Sequence, residues 1–191
     1  MSISVHSRRW TRAEYETLID KGVFHPDERV ELVGGELMVR EPQGSRHAVA
    51  ATLAEDALRA AFGPDWVVLA DKPVALDEES EPEPDVAVAP GPARRYLAAH
   101  PSRPVLVVEV ADSSLGYDRE RKGSLHARAG LIEYWIVNLV DEQLEVYRDP
   151  APAPVARFRW RYGTVHLLGR AAFIAPLAAP LARIAVADFL P

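Results

Sequence analysis

Glu83-Pro-Asp-Val-Ala-Val-Ala89, Val105-Leu-Val-Val-Glu-Val-Ala-Asp-Ser-Ser114 and Tyr117-Asp-Arg-Glu-Arg-Lys122 lie within one stretch, closing at Trp135, whose reading decides the fold. Asp85 to Ala89 is a short β-prone run, and Pro84 limits it to a start where a missing N–H does no harm. Val105 to Ala111 is almost continuously apolar, as expected of an interior strand covered on both faces. Ser113 or Ser114 can cap a charged helix running through Lys122 and stopping at Gly130. Glu133 to Val140 then reads as the next strand. Asp85 and Glu109 stand at the ends of these apolar runs, where an ionised carboxylate is costly to desolvate unless a cation or a hydrogen-bond donor compensates it.

Working outward on the N-terminal side, Thr11 and Glu14 have capping-box spacing and open a helix to about Lys21. Val30 to Val33 and Glu36 to Val39 flank Gly34-Gly35 and read as a hairpin. Ser45 is placed to cap a helix from Arg46 to Phe62, closed by Gly63-Pro64, with His47 in its first turn. Trp66 to Ala70 is a strand that Pro73 to Leu76 can continue after a bend. Asp77-Glu-Glu-Ser-Glu-Pro-Glu83 is a solvated loop by composition, able to hold Ca²⁺ weakly.

Pro90 to Pro104 is a connection carrying Arg94 and Arg95, with a helical turn around Tyr96 to Ala99. Leu144 to Arg148 reads as a strand and Pro150 to Pro154 as a loop. Arg157-Phe-Arg-Trp-Arg-Tyr162 alternates, which places arginines on one face of a strand and aromatics on the other; Val165 to Leu168 pairs with it across Gly163. No long polar linker divides the chain, so residues 1–191 read as one domain. Its core, about 45–140, has the order helix, strand, strand, strand, helix, strand in a mixed α/β sheet. A helix and hairpin (11–40) precede the core, and strands and a tail (144–191) follow it.

With 48% hydrophobic and 26% charged residues, the composition is that of an ordinary globular protein. No apolar run approaches the roughly 20 residues of a membrane span. Met1 to Arg9 lacks the pattern of a secretory signal, and the chain has no cysteine, which excludes disulfides and thiolate metal sites. A cytoplasmic location is the default expectation. The net charge of -6 argues against bulk electrostatic binding of nucleic acid, although the acidic loop supplies much of it and leaves room for a local basic strip.

Adjacent strands of a mixed sheet can bring Asp85 and Glu109 to one edge, where their oxygens suit a hard divalent cation, Mg²⁺ or Mn²⁺. Such an ion acidifies water and neutralises phosphate charge. Lys122 can then enter from the helix to orient the attacking water or stabilise transition-state charge. Glu36 on the hairpin can complete the metal shell, ahead of Glu31. His47 can touch phosphate, and Arg157, Arg159 and Arg161 can track a phosphate backbone without carrying sequence information. The bland readings are a turn cap for Asp85, an arginine partner for Glu109, a solvated Lys122 and a strand whose aromatics merely face the core.

At these residues the chain resembles the PD-(D/E)xK nuclease superfamily. More narrowly, Pro84-Asp-Val-Ala-Val88, Val107-Val-Glu-Val-Ala-Asp-Ser-Ser-Leu115, Tyr117 to Lys122 and Ala127-Arg-Ala-Gly-Leu-Ile-Glu-Tyr-Trp-Ile-Val137 resemble a bacterial family of restriction-endonuclease-like proteins. Glu31-Leu-Val-Gly-Gly-Glu-Leu37 with His47 downstream, and the closing Leu181 to Leu190, share in the likeness. The resemblance implies a restriction-endonuclease-like fold, metal ligation by Asp85 and Glu109, Lys122 as the lysine, DNA as substrate and a homodimer. Ala111 stands where the superfamily's lysine would sit, and His126 and Asn138 replace a more typical tyrosine and aspartate. The expected activity is metal-dependent hydrolysis of DNA phosphodiesters; the rival is a non-catalytic homodimeric DNA-binding or assembly module of the same fold.

Overall fold

A computed structural model describes residues 6–191; the expectation for the opening segment therefore lies partly outside the described residues, at Met1 to Val5. Helix α1 (Arg12–Asp20) begins as its capping box dictates: the Thr11 side chain accepts from the Glu14 N–H and Glu14 accepts from the Thr11 N–H at 3.0 Å. Strands β1 (Arg29–Val33) and β2 (Glu36–Arg40) form the hairpin, with Gly34 and Gly35 at φ +58° and +77°. Helix α2 (Ser45–Phe62) follows, capped by Gly44, so Ser45 is its first residue and not its cap.

Strands β3 (Trp66–Ala70), β4 (Val86–Pro90), β5 (Leu106–Ala111), β6 (Glu133–Asn138), β7 (Gln143–Pro152) and β8 (Trp160–Gly169) make one six-stranded sheet in that order. Only β5 and β6 run parallel, and the connection between them is helical: α3 (Leu115–Tyr117), a π-helical turn (Asp118–Lys122) and α4 (Gly123–Arg128). A short antiparallel pair, β9 (Phe173–Ile174) with β10 (Ile184–Ala185), folds back in the tail. The mixed sheet with helices is the expected fold, and the helix, strand, strand, strand, helix, strand order runs from α2 to β6. No described helix is long and apolar enough to cross a membrane.

Strand alternation sorts β5 between two cores. Leu106, Val108 and Val110 pack with Ala50, Ala54 and Leu58 of α2, whereas Val107 and Ala111 pack with Ala127 and Tyr134 on the opposite face. Glu109, in phase with Val107 and Ala111, is thereby turned toward the helical crossover.

Four local expectations are corrected. The acidic loop is not a solvated run: Ser80 and Glu81 are buried, Leu32 and Glu81 exchange backbone hydrogen bonds, and the Gly35 N–H donates to the Glu79 carbonyl at 2.7 Å. Composition registers charged side chains but not the backbone groups of an extended segment, which here fasten the hairpin to the body. Arg157 to Arg159 is a turn, with Arg159 at φ +63°, and the strand begins at Trp160. That strand continues unbroken through Gly163, pairing all along with β7, so Val165 to Leu168 forms no separate partner. Pro150 and Pro152 belong to β7 because this end overhangs β6, where their missing N–H groups cost no ladder bond.

Gly34 is required by both conformation and space. A Cβ there would run into the Phe158 ring, whereas Gly22, also at positive φ (+61°), has open space. Gly34→Ala should lower stability in a urea titration by roughly 2–4 kcal/mol and Gly22→Ala by about 1 kcal/mol. Burial, with Glu16 adding to it, raises the pKa of Glu81 to about 7, and its Oε2 has no hydrogen-bond partner. Because the folded-state pKa is raised, this carboxyl costs no stability below about pH 4.5 and progressively more as pH rises through 7. Glu81→Gln should match the wild type at pH 4 and exceed it by roughly 1–3 kcal/mol at pH 8 in denaturation curves.

Candidate active site

The cleft of about 330 Å³ that opens at the start of β4 and the end of β5 is walled by the hairpin, the first turn of α2 and the helical crossover. Pairing of β4 with β5 stops at Val86 and Val108, just before Pro84 would have to face Val110. Asp85 takes over there. Its Oδ2 accepts the Val110 N–H at 2.7 Å and lies 3.2 Å from His47 Nε2, while Oδ1 accepts from Arg40 at 2.6 Å and Gln43 at 3.1 Å. Burial alone would raise its pKa, but the His47 hydrogen bond and the Arg40 charge outweigh it and hold Asp85 well below the usual carboxylate range.

Glu109 sits opposite, its Oε2 3.4 Å from the Asp85 N–H. Its Oε1 accepts from Lys122 Nζ at 2.9 Å, and the same ammonium lies 3.4 Å from Glu31 Oε2. All three side chains are almost wholly buried. Lys122 reaches them from the π-helical turn, where the Gly123 N–H bonds back to the Asp118 carbonyl. That turn presents Asp118 and Lys122 together to the cleft. Burial disfavours the ammonium, yet Glu109 and Glu31 more than offset it and keep Lys122 protonated.

Glu109 is raised to about 8, chiefly by burial, and Asp85 and Asp118 raise it further while Lys122 opposes. Asp118 is raised to about 6, again by burial first and with Asp85 and Glu31 adding to it. The buried carboxylates Glu31, Asp85, Glu109 and Asp118 thus outnumber the cations Arg40 and Lys122 that meet them. Among the described residues no group of three or more His, Asp or Glu is drawn together tightly enough to hold a metal ion as it stands. The donor set nevertheless fits a hard divalent cation: it is all oxygen, it converges on one cleft, and burial, with neighbouring carboxylates adding to it, raises two of its carboxyl pKa values. Arg40 and Gln43, which now saturate Asp85 Oδ1, are the groups that would yield to it.

The structure brings Asp85, Glu109, Lys122 and His47 together. Glu36 is a correction: it is exposed, 2.6 Å from Arg121 and 3.0 Å from Arg157. The hairpin register explains why. Glu31 pairs with Met38 and Val33 with Glu36, so both glutamates share a face, but Glu36 stands two pairs nearer the turn and misses the cleft that Glu31 enters. Arg157, Arg159 and Arg161 are exposed and do not line the cleft, because the segment bearing the first two is a turn beside the hairpin tip. Asn138 is a turn-former, its Oδ1 accepting from the Val140 and Asp141 N–H groups.

Sequence reading missed Arg40, Gln43 and Asp118. Arg40 alternates with Met38 on the face of Glu31, and Asp118 lies four residues before Lys122, so strand and helix periodicity carried a signal for both. Gln43, in a loop, carried none.

A family model described as "Uma2: Putative restriction endonuclease" matches residues 12–168. Among curated proteins none matches. A solved structure titled "Crystal structure of a putative nuclease belonging to DUF820 from Anabaena variabilis ATCC 29413" superposes with a TM-score of 0.70. It covers 94% of this chain and 97% of its own at 13% identity, a likeness that shows the shared fold. With its match extending from α1 to nearly the end of β8, the chain belongs to the Uma2 family of restriction-endonuclease-like proteins.

Proposed function

We propose that this protein is a metal-dependent nuclease that hydrolyses phosphodiester bonds in DNA. The observation that carries the reading is the meeting of Asp85 from just before β4, Glu109 from β5 and Lys122 from the π-helical turn, with Lys122 Nζ 2.9 Å from Glu109. Asp85 and Glu109 would hold Mg²⁺ or Mn²⁺, with Glu31 the better placed third carboxylate. When bound, the ion would acidify a water and neutralise phosphate charge. Lys122, kept protonated by its acidic neighbours, orients the attacking water and stabilises negative charge building on the phosphate; it does not accept a proton. His47, in the first turn of α2, contributes a side chain to the same wall. DNA as substrate is supported by the family description, and the assembly we propose is a homodimer.

One observation favours the rival reading of a non-catalytic homodimeric DNA-binding or assembly module: Arg40, Gln43, His47 and the Val110 N–H together fill the hydrogen-bonding capacity of Asp85. Incubation of plasmid and single-stranded DNA with Mn²⁺ separates the two. Asp85→Asn and Glu109→Gln should each reduce cleavage roughly 100-fold or more, and Lys122→Met by on the order of 100-fold. Glu31→Gln should be impaired and Glu36→Gln unchanged. Melting curves accompany each variant, since removing one partner of a buried pair costs roughly 3–5 kcal/mol. Cleavage undiminished in folded Asp85→Asn and Glu109→Gln proteins would count against the site, and no cleavage by the wild type would favour the module.

A further inference from the structure

His126 has no assigned part in the chemistry above, and its position asks for one. It lies four residues beyond Lys122 on α4, fully buried, with its ring 5.0 Å from that of Tyr134. Among the described residues it is the one side chain with two buried polar atoms that lack a hydrogen-bond partner, Nδ1 and Nε2. An apolar ring would fill the same space without stranding them. Its Nε2 is 4.0 Å from Glu109 Oε1, the oxygen that Lys122 holds at 2.9 Å.

The Lys122 ammonium is already shared between Glu109 Oε1 at 2.9 Å and Glu31 Oε2 at 3.4 Å, and a phosphate in the cleft would draw it away from Oε1. As the ammonium turns away, a fully buried carboxylate loses its close donor, and the remaining one, the Asp85 N–H, is 3.4 Å from the other oxygen. We propose that His126 is a positioning residue for Glu109: its Nε2–H closes on Oε1 when Lys122 leaves, and fixes the carboxylate for the cation. The inference rests on the metal-site reading. The shift required is about one ångström, within reach of small side-chain torsions, and a neutral ring with its proton on Nε2 suffices. Ligating carboxylates generally depend on such outer partners, whose loss costs roughly 10- to 100-fold in metal affinity or activity.

The full-length protein, with His126→Phe and His126→Gln, supplies the test by melting without metal, Mn²⁺ calorimetry, and kcat and KM for plasmid cleavage. The phenylalanine variant should melt at or above the wild-type temperature, because it removes two unpartnered nitrogens, yet bind Mn²⁺ about tenfold more weakly and lose kcat about tenfold or more with little change in KM. The glutamine variant, whose amide can still donate at that reach, should recover most of both. Unchanged Mn²⁺ affinity and kcat in the phenylalanine variant, or equal impairment of the two variants, would overturn the assignment. So would a phenylalanine variant too unstable to fold beside a glutamine variant with weakened Mn²⁺ binding. If the wild type itself binds no Mn²⁺, the metal reading falls and takes this inference with it; Mn²⁺ binding that survives His126→Phe sinks the inference alone.

Discussion

The contact between the Lys122 ammonium and the Glu109 carboxylate, made where both are almost completely withdrawn from water, is the constraint on which the rest of the structure depends. Neither charge is stable in such a place alone, and an unpaired one would cost several kcal/mol even after relaxation, on the order of 3–5 kcal/mol. The alternation of β5 turns Glu109 to the face that the crossover covers, and the parallel pairing of β5 with β6 obliges a helical crossover to exist. The π-helical turn then delivers Lys122 and Asp118 together. Burial on this scale leaves excess negative charge, because Glu31, Asp85 and Asp118 crowd the same lysine.

That excess is more informative about chemistry than the net charge of -6. On the nuclease reading proposed above, a cleft lined by buried carboxylates would repel a phosphate unless a cation were held there, so the cation would have to bind first. Arg40 plays a double part in this. It pairs with Asp85 at 2.6 Å, and by occupying Oδ1 it is the group that would have to move for a cation to reach that oxygen. The arginines at the β7–β8 turn act elsewhere, fastening Glu36 and the hairpin tip through Arg157.

Much of the fold was legible because its signals are local and periodic. The capping box of α1, the Gly34-Gly35 turn, the apolar run of β5 and the glycine stop at Gly130 each correspond to an observed element. Asp85 and Glu109 were legible for another reason: charged groups against apolar runs demand partners, and the resemblance agreed, adding Lys122 from a charged helix. The failures share a cause too. Glu36 against Glu31 turned on how far the hairpin reaches over the cleft, the acidic loop on backbone hydrogen bonds with a strand 50 residues away, and Arg157 on a turn that interrupts an alternation. Those are matters of tertiary placement, which periodicity does not encode. Arg40 and Asp118 were encoded in period but concealed by charges on every side of them.

The central claim is that Asp85 and Glu109 together hold a divalent cation. Calorimetric titration of Mn²⁺ into the wild type and into Asp85→Asn at pH 7.5 tests it most directly. The account predicts one saturable site per chain in the wild type and loss of that site in the variant. Absence of binding to the wild type, or equal binding to both proteins, would contradict it.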